Sequence, residues 1–195
     1  INTFAGSPVD RAANFRRDDS WVQAHLDDAE TRFLPLWQLR PLMAVGDPLS
    51  IAWRDAADVA PFIAQGANKI FLGLIEGRAH FAVDVSLAGP KKADAPFADL
   101  GKWIDVRTAA ASVSQSDAAI LAQSRAMLDW HARHGFCAVC GSPSAMREAG
   151  YARKCGNEDC GAMHFPRTDP VTIMLVLHGD NCLLGRQKIF APQSY

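Results

Sequence analysis

The chain has 195 residues, 49% of them apolar, with 20 basic and 21 acidic side chains and a formal net charge of −1. That balance excludes the basic excess that non-specific nucleic-acid binding needs, while the length and apolar share suit one large domain or two small ones. No run reaches the ~18–20 apolar residues of a membrane-spanning helix, and no basic start leads into an apolar run, so a cytoplasmic protein with no membrane partner is expected. Ile1 stands where a methionine would, which predicts missing residues at that end.

The first helical pattern runs from Trp21 to Phe33, with Asp19 or Ser20 as its N-cap. Leu36 to Met43 and Leu49 to Trp53 read as strands. The apolar run Ile70 to Ile75, then Glu76-Gly77-Arg78, then the alternation from His80 to Val85 predicts a β-hairpin with Gly77 at positive φ. The region predicts a compact β-rich domain closed by a polar loop from Pro90 to Pro96.

Ser114 and Asp117 open a helix with a capping-box spacing. Ile120, Leu121, Ser124, Met127, Leu128 and His131 fall on one stripe, which predicts a packing face. Gly135 is expected to stop the helix, and His131 and His134 suit its C-terminal end, where positive charge is favoured. The helix leads straight into Phe136-Cys137 and so links the first domain to a cysteine-bearing segment.

Four cysteines are spaced there as Cys137-x2-Cys140-x14-Cys155-x4-Cys160. Thiolates are soft ligands, and four of them form a closed tetrahedral zinc site with no open position for a reactive water, hence a structural site. Gly141, Ser142, Gly156 and Asn157 are turn formers that let each pair of sulfurs face one ion. The competing reading, two disulfides or four buried thiols, needs an oxidising compartment that nothing else indicates. His131, His134 and His164 lie near enough in sequence to replace a sulfur. Met146 to Lys154 should form a hairpin, making a zinc ribbon of ~30 residues held together by its metal. Arg147, Arg153, Lys154 and Arg167 either offset the charge of a zinc tetrathiolate or form a solvated face, the latter being expected for most of them.

After the ribbon, Val171 to Leu177 has the pattern of a buried strand, with a turn at Gly179-Asp180-Asn181 and a second strand from Cys182 to Gly185. Cys182 is expected in a core or strand. A strand so apolar needs cover on both faces, which predicts a third domain that begins near Asp169 and is cut off.

Taken in order, these segments resemble the NADH pyrophosphatase family of Nudix hydrolases. Arg32-Phe-Leu-Pro-Leu-Trp37, Phe71-Leu-Gly-Leu and Phe81-Ala-Val-Asp84 look like its Nudix-like, non-catalytic N-terminal domain. Ala126-x-x-Leu-x-x-Trp130 with Phe136-Cys-x-x-Cys-Gly141 looks like its linker helix entering the ribbon. Tyr151-x-Arg-x-Cys155, Pro166-Arg-x-Asp-Pro170 and Leu183-Leu-Gly-Arg-Gln187 carry the match toward the catalytic domain. The resemblance implies an α+β chain: a Nudix-like domain over residues 1–105, a linker helix over 106–135, a zinc ribbon over 136–168, and from 169 to 195 the first strands of an incomplete Nudix α/β/α domain.

The implied activity is hydrolysis of NADH or NAD+ to nicotinamide mononucleotide and AMP, with NAD-capped RNA as a further substrate of some relatives. It also implies a homodimer, structural Zn2+ on Cys137, Cys140, Cys155 and Cys160, and catalytic Mg2+ or Mn2+ on carboxylates that neutralise the pyrophosphate and activate water. The family's loop-helix, G-x5-E-x7-R-E-x2-E-E-x-G, does not occur in residues 1–195; Arg147-Glu148 has no partners at that spacing, and Ala191-Pro-Gln-Ser194 falls where the chain would approach it. No catalytic residue is therefore assigned, and the chain alone is expected to be inactive. Phe165 matches an aromatic position that in some relatives meets the dinucleotide across the dimer; its other reading is a hydrophobic plug under the ribbon. The alternative function is a non-enzymatic zinc-ribbon module that binds a protein or nucleic-acid partner.

Overall fold

The computed structural model describes residues 2–169, 172–185 and 188. Helix α1 spans Asp19–Leu26, and the Asp18 carboxylate accepts the Trp21 N–H at 3.0 Å. The cap thus sits one residue ahead of the two expected. The helix also stops short of Phe33, because Arg32–Trp37 is strand β1, with Phe33 and Leu34 buried on opposite faces. The expected single strand over Leu36 to Met43 is a hairpin instead. Gln38 and Leu39 both take left-handed φ, 51° and 61°, and reverse the chain into β2 (Arg40–Ala44). Neither is glycine, so the turn had no signature.

Strand β3 keeps only Ser50–Ile51 of the expected Leu49 to Trp53. Helix α2 (Ala56–Ala64) was not expected, since Pro61 lies inside it. The hairpin of β4 (Lys69–Ile75) and β5 (Arg78–Asp84) forms as predicted, with Glu76 and Gly77 at φ 52° and 77°. A short β6 (Lys102–Trp103) and helix α3 (Val106–Ala109) complete the approach to α4 (Gln115–Arg133).

The sheet runs β3-β2-β1-β5-β4, with β6 added to β2. Its centre is the parallel pair β1/β5, in register from Arg32↔His80 to Leu36↔Asp84; the other pairs are antiparallel. Because side chains alternate across a strand, both faces are apolar. Leu34, Leu36, Ile70, Leu72 and Ala82 pack against Ile120, Leu121, Met127 and Leu128 of α4. Phe33, Phe71, Phe81 and Val83 pack against Val22 and Leu26 of α1 and Val59 of α2. The result is a three-layer α/β/α sandwich in a mixed α+β chain.

Gly73 is fixed by a close approach. A Cβ there would lie 2.2 Å from the Asp10 carbonyl oxygen, and Asp10 pairs with Leu74 at the sheet edge. The α4 start is as expected, with Ser114 Oγ accepting the Asp117 N–H at 3.0 Å, and every residue of the predicted stripe is buried. Its end differs: His134 is the cap at φ −116°, and the helix closes without a left-handed Gly135.

Strands β7 (Ser144–Arg147), β8 (Ala152–Cys155) and β9 (Met163–His164) form a second, three-stranded antiparallel sheet. Beyond it, β10 (Leu177–His178) and β11 (Asn181–Cys182) make a small hairpin turned by Gly179 at φ 57°. The expected buried strand is exposed where it is described: Ile173 is 98% and Met174 78% accessible, because no described residue packs over them. Cys182 is in a strand, as expected, but on the surface. The readings at Pro170, Val171, Arg186-Gln187 and Ala191 to Ser194 lie outside the described residues. Among the described residues no helix is long and apolar enough to cross a membrane.

Candidate metal centre

Two knuckles bring the four cysteines together. In the first, the Gly141 N–H donates to the Cys137 carbonyl at 2.9 Å and Gly141 adopts φ 75°. In the second, the Gly161 N–H donates to Asn157 O at 2.9 Å, and Gly161 adopts φ 55°. Gly156, expected to make that bend, instead donates to Pro143 O at 2.9 Å and ties the knuckles to each other. The N–H two residues past the first cysteine of each knuckle reaches its sulfur: Val139 N to Cys137 Sγ and Asn157 N to Cys155 Sγ, both 3.4 Å.

All four Sγ atoms lie within 4.8 Å of one another. Cys137 and Cys160 are 3.8 Å apart, and Cys140 and Cys155 are 3.4 Å apart. A tetrahedron with metal–sulfur bonds of ~2.3 Å has sulfur–sulfur edges of about 3.8 Å. Both separations far exceed the ~2.05 Å of a disulfide, and all five cysteines are free.

The electrostatics favour a cation. N–H donation, first from Cys140, pulls the Cys137 thiol down to about 6, whereas burial pushes Cys155 up to about 12. Sulfurs this close cannot all carry charge unless a cation lies among them. The residues present therefore fit a soft divalent metal. Apart from these cysteines, the described residues hold no group of three or more His, Cys, Asp or Glu side chains placed to share an ion.

None of the three nearby histidines joins the cluster. His164 Nε2 lies 3.2 Å from Cys137 Sγ, placed to donate to a thiolate from outside it. His134 Nδ1 faces the Trp130 carbonyl oxygen at 2.8 Å. His131 is buried, which corrects its reading as a charged helix-end residue. Its Nε2 donates to Gly150 O at 2.7 Å, leaving Nδ1 to accept from Arg153 at 2.8 Å. That fixes the neutral tautomer. Burial, with the Arg153 charge adding to it against the opposing pull of the Gly150 carbonyl, lowers the His131 pKa to about 4.

Arg153 is buried too, not solvated, and also donates to Ser144 Oγ and O at 2.8 and 2.6 Å. Arg147, Lys154 and Arg167 are exposed, as expected. The seam continues where the Arg16 guanidinium lies 3.6 Å over the Tyr151 ring, and Gly150, at φ 102°, would press a Cβ to 2.6 Å from Ile70 Cδ1. These contacts seat the metal-bearing sheet on the sandwich. The one local signal for them was the alternation Arg153, Cys155, which puts Arg153 on the face of a buried neighbour.

Phe165 follows β9 and is 57% exposed, so it plugs nothing. Phe136 and Val139 are more exposed still.

Residues 12–130 match the family model described as NADH pyrophosphatase-like rudimentary NUDIX domain, and residues 132–165 match the NADH pyrophosphatase zinc ribbon domain. The chain is 28% identical over 229 aligned positions to human NAD-capped RNA hydrolase NUDT12, covering 98% of this chain and 50% of that protein. It is 29% identical over 209 positions to Nudix hydrolase 19, chloroplastic, of Arabidopsis thaliana, covering 97% and 43%. It is 32% identical over 136 positions to human NAD(P)H pyrophosphatase NUDT13, mitochondrial, covering 66% and 38%. The chain thus spans half or less of the length of each.

Proposed function

Because the chain belongs to the family of NADH pyrophosphatase-like rudimentary NUDIX domains, we propose that it is the scaffold of an enzyme that hydrolyses the pyrophosphate bond of NADH or NAD+ to nicotinamide mononucleotide and AMP. NAD-capped RNA offers the same bond and is a second substrate in this reading. The observation that carries it is the ordered match of a rudimentary NUDIX domain and then its zinc ribbon along one chain. The names of the relatives, NAD-capped RNA hydrolase and NAD(P)H pyrophosphatase, point the same way.

In this proposal Cys137, Cys140, Cys155 and Cys160 hold Zn2+, which organises the ribbon and takes no part in the chemistry, because four sulfurs leave no position for water. Mg2+ or Mn2+ neutralises the pyrophosphate and activates the attacking water. Residues 1–195 contain no glutamate ladder for it, so this chain alone should not turn over. Phe165, projecting from the ribbon, meets the dinucleotide of a second protomer in a homodimer.

The test is release of nicotinamide mononucleotide from NADH, NAD+ and NAD-capped RNA in Mg2+, comparing the 195-residue chain with the full-length product of its gene. Turnover by the full-length protein and none by the chain is expected. A zinc-loaded full-length protein that releases nicotinamide mononucleotide from none of the three would sink the enzyme reading and leave the non-enzymatic ribbon. Phe165→Ala in the full-length protein should raise KM with kcat retained; an unchanged KM removes its role.

A further inference from the structure

The four sulfurs of the ribbon are chemically alike but not equally placed. Cys137 and Cys155 are buried and Cys160 is half-buried, whereas Cys140 is exposed. Its neighbours Val139 and Gly141 are exposed as well, so a small solute in water meets the Cys140 sulfur first. The Cys137 sulfur is guarded: it accepts from the Val139 N–H at 3.4 Å and faces His164 Nε2 at 3.2 Å.

Cys140 also has a close partner. Its Sγ lies 3.4 Å from Cys155 Sγ, against 3.8 Å between Cys137 and Cys160. The two sulfurs belong to different knuckles, and backbone hydrogen bonds that need no metal hold the knuckles together. The Gly156 N–H donates to Pro143 O at 2.9 Å, the Cys137 N–H donates to Ser142 O at 2.7 Å, and Cys155 pairs with Ser144 across β7 and β8. Groups fixed in one framework react as if highly concentrated.

We propose that Cys140 and Cys155 are a peroxide-sensitive pair: hydrogen peroxide oxidises them to a disulfide that joins the two knuckles and expels the metal from the ribbon. The inference rests on the zinc assignment made above. As metal ligands both sulfurs are thiolates. The Cys140 sulfur attacks one peroxide oxygen, and its S–O bond forms as the O–O bond breaks, giving a sulfenic acid and hydroxide. The Cys155 sulfur then attacks the Cys140 sulfur, forming the S–S bond and displacing the sulfenic oxygen as a second hydroxide. The two thiolates lose two electrons, the peroxide gains them, and both hydroxides take protons from solvent. Two of the four sulfurs are thereby withdrawn from the ion, and Cys137 and Cys160 alone do not complete a tetrahedral site. Residues 1–136 contain no cysteine, so the oxidation acts on the ribbon and spares the sandwich.

The experiment uses the zinc-loaded chain carrying Cys182→Ser, which removes the other exposed thiol. Zinc content is measured before any oxidant is added. A chain that takes up no zinc ends both this inference and the metal assignment at that step; a loaded chain that fails later ends only this inference. Hydrogen peroxide is then added in excess, zinc release is followed with a chromogenic chelator, and the disulfide is located by mass spectrometry of peptides from the alkylated protein. One zinc should leave for each Cys140–Cys155 bridge formed, and a dithiol with added zinc should reverse both changes. Cys140→His keeps four ligands, as in Cys3His sites, but lacks the exposed sulfur, so peroxide should release its zinc about tenfold more slowly or less. If that variant holds no zinc, the mapped bridge decides alone. The proposal is overturned if zinc leaves without a disulfide, if the bridge maps to Cys137–Cys140 or Cys155–Cys160, if zinc stays bound at peroxide levels that oxidise Cys182 in the parent chain, or if Cys140→His releases zinc at the parental rate.

Discussion

The sandwich and the ribbon are built on opposite plans. In the sandwich, Phe33, Leu34, Leu36, Ile70, Phe71, Leu72 and Phe81 are each no more than 1% exposed, and the sheet is covered on both faces. In the ribbon, the buried hydrophobic side chains are Cys137, Ala152 and Cys155, two of which are metal-ligand candidates. One region is held by removing apolar surface from water. The other has too little apolar surface for that, and in the proposed reading it depends on four sulfurs around an ion. Stability in the first is spread over many contacts; in the second it is concentrated at one point.

The difference is broken most directly at the metal. Cys155→Ser, or chelation, removes an interaction worth roughly 10–16 kcal/mol in comparable zinc peptides. Hydrogen exchange should show residues 137–165 losing protection while β1, β4 and β5 keep theirs. Unchanged metal content would remove Cys155 from the ligand set. Loss of protection in both regions together would show that they fold as one unit. The converse experiment is Phe71→Ala, which should cost about 3–5 kcal/mol in the thermal or denaturant unfolding of the sandwich with the zinc content of the folded protein unchanged. Zinc lost in proportion to that destabilisation would again join the two regions.

What the sequence disclosed divides along the same line. The cysteines could be read because a metal site repeats ligand types at short spacings, and α4 because its stripe recurs at helical period. The β4–β5 turn was legible through Gly77. The β1–β2 turn was not, because Gln38 and Leu39 are unusual in left-handed backbone. Helix α2 was hidden by Pro61. The exposed apolar run at residues 173–177 shows the limit of reading burial from composition: pattern states which faces want cover, and only packing states what covers them. His131 and Arg153 are 22 positions apart, and no local periodicity pairs them.

That pair sharpens the comparison, since it joins the two regions. In the folded protein the His131 pKa falls from 6.5 to about 4. Above 6.5 both folded and unfolded chains hold the imidazole neutral. Between 6.5 and about 4 the unfolded chain binds a proton that the folded chain refuses, so stability falls as pH falls through that window. Protonation would also take the Nδ1 lone pair from Arg153. His131→Gln should flatten the pH dependence of unfolding between pH 6.5 and 4, whereas zinc loss in acid continues in both proteins. An unaltered slope in the variant would show that His131 is not the group responsible.

The smallest effect comes from two neighbouring arginines at the same seam. Arg17 Nε lies 2.9 Å from Glu148 Oε1, but its side chain is 77% exposed, so water and salt screen the pair. Arg17→Ala should cost only ~0.2–1 kcal/mol and less in high salt. Arg16 has no such carboxylate contact, yet it is only 6% exposed, stacks on Tyr151, and donates from Nε and Nη2 to Arg11 O at 3.1 and 2.7 Å. Arg16→Ala removes a sheltered cation–π contact and leaves the Arg11 carbonyl short of its donors, which should cost about 2–3 kcal/mol and be insensitive to salt. Thermal unfolding of the two variants at low and high salt separates them. Equal losses would mean that the sandwich and the ribbon meet through surface charge, and an ordering with Arg16 far above Arg17 would mean that they meet through a packed joint.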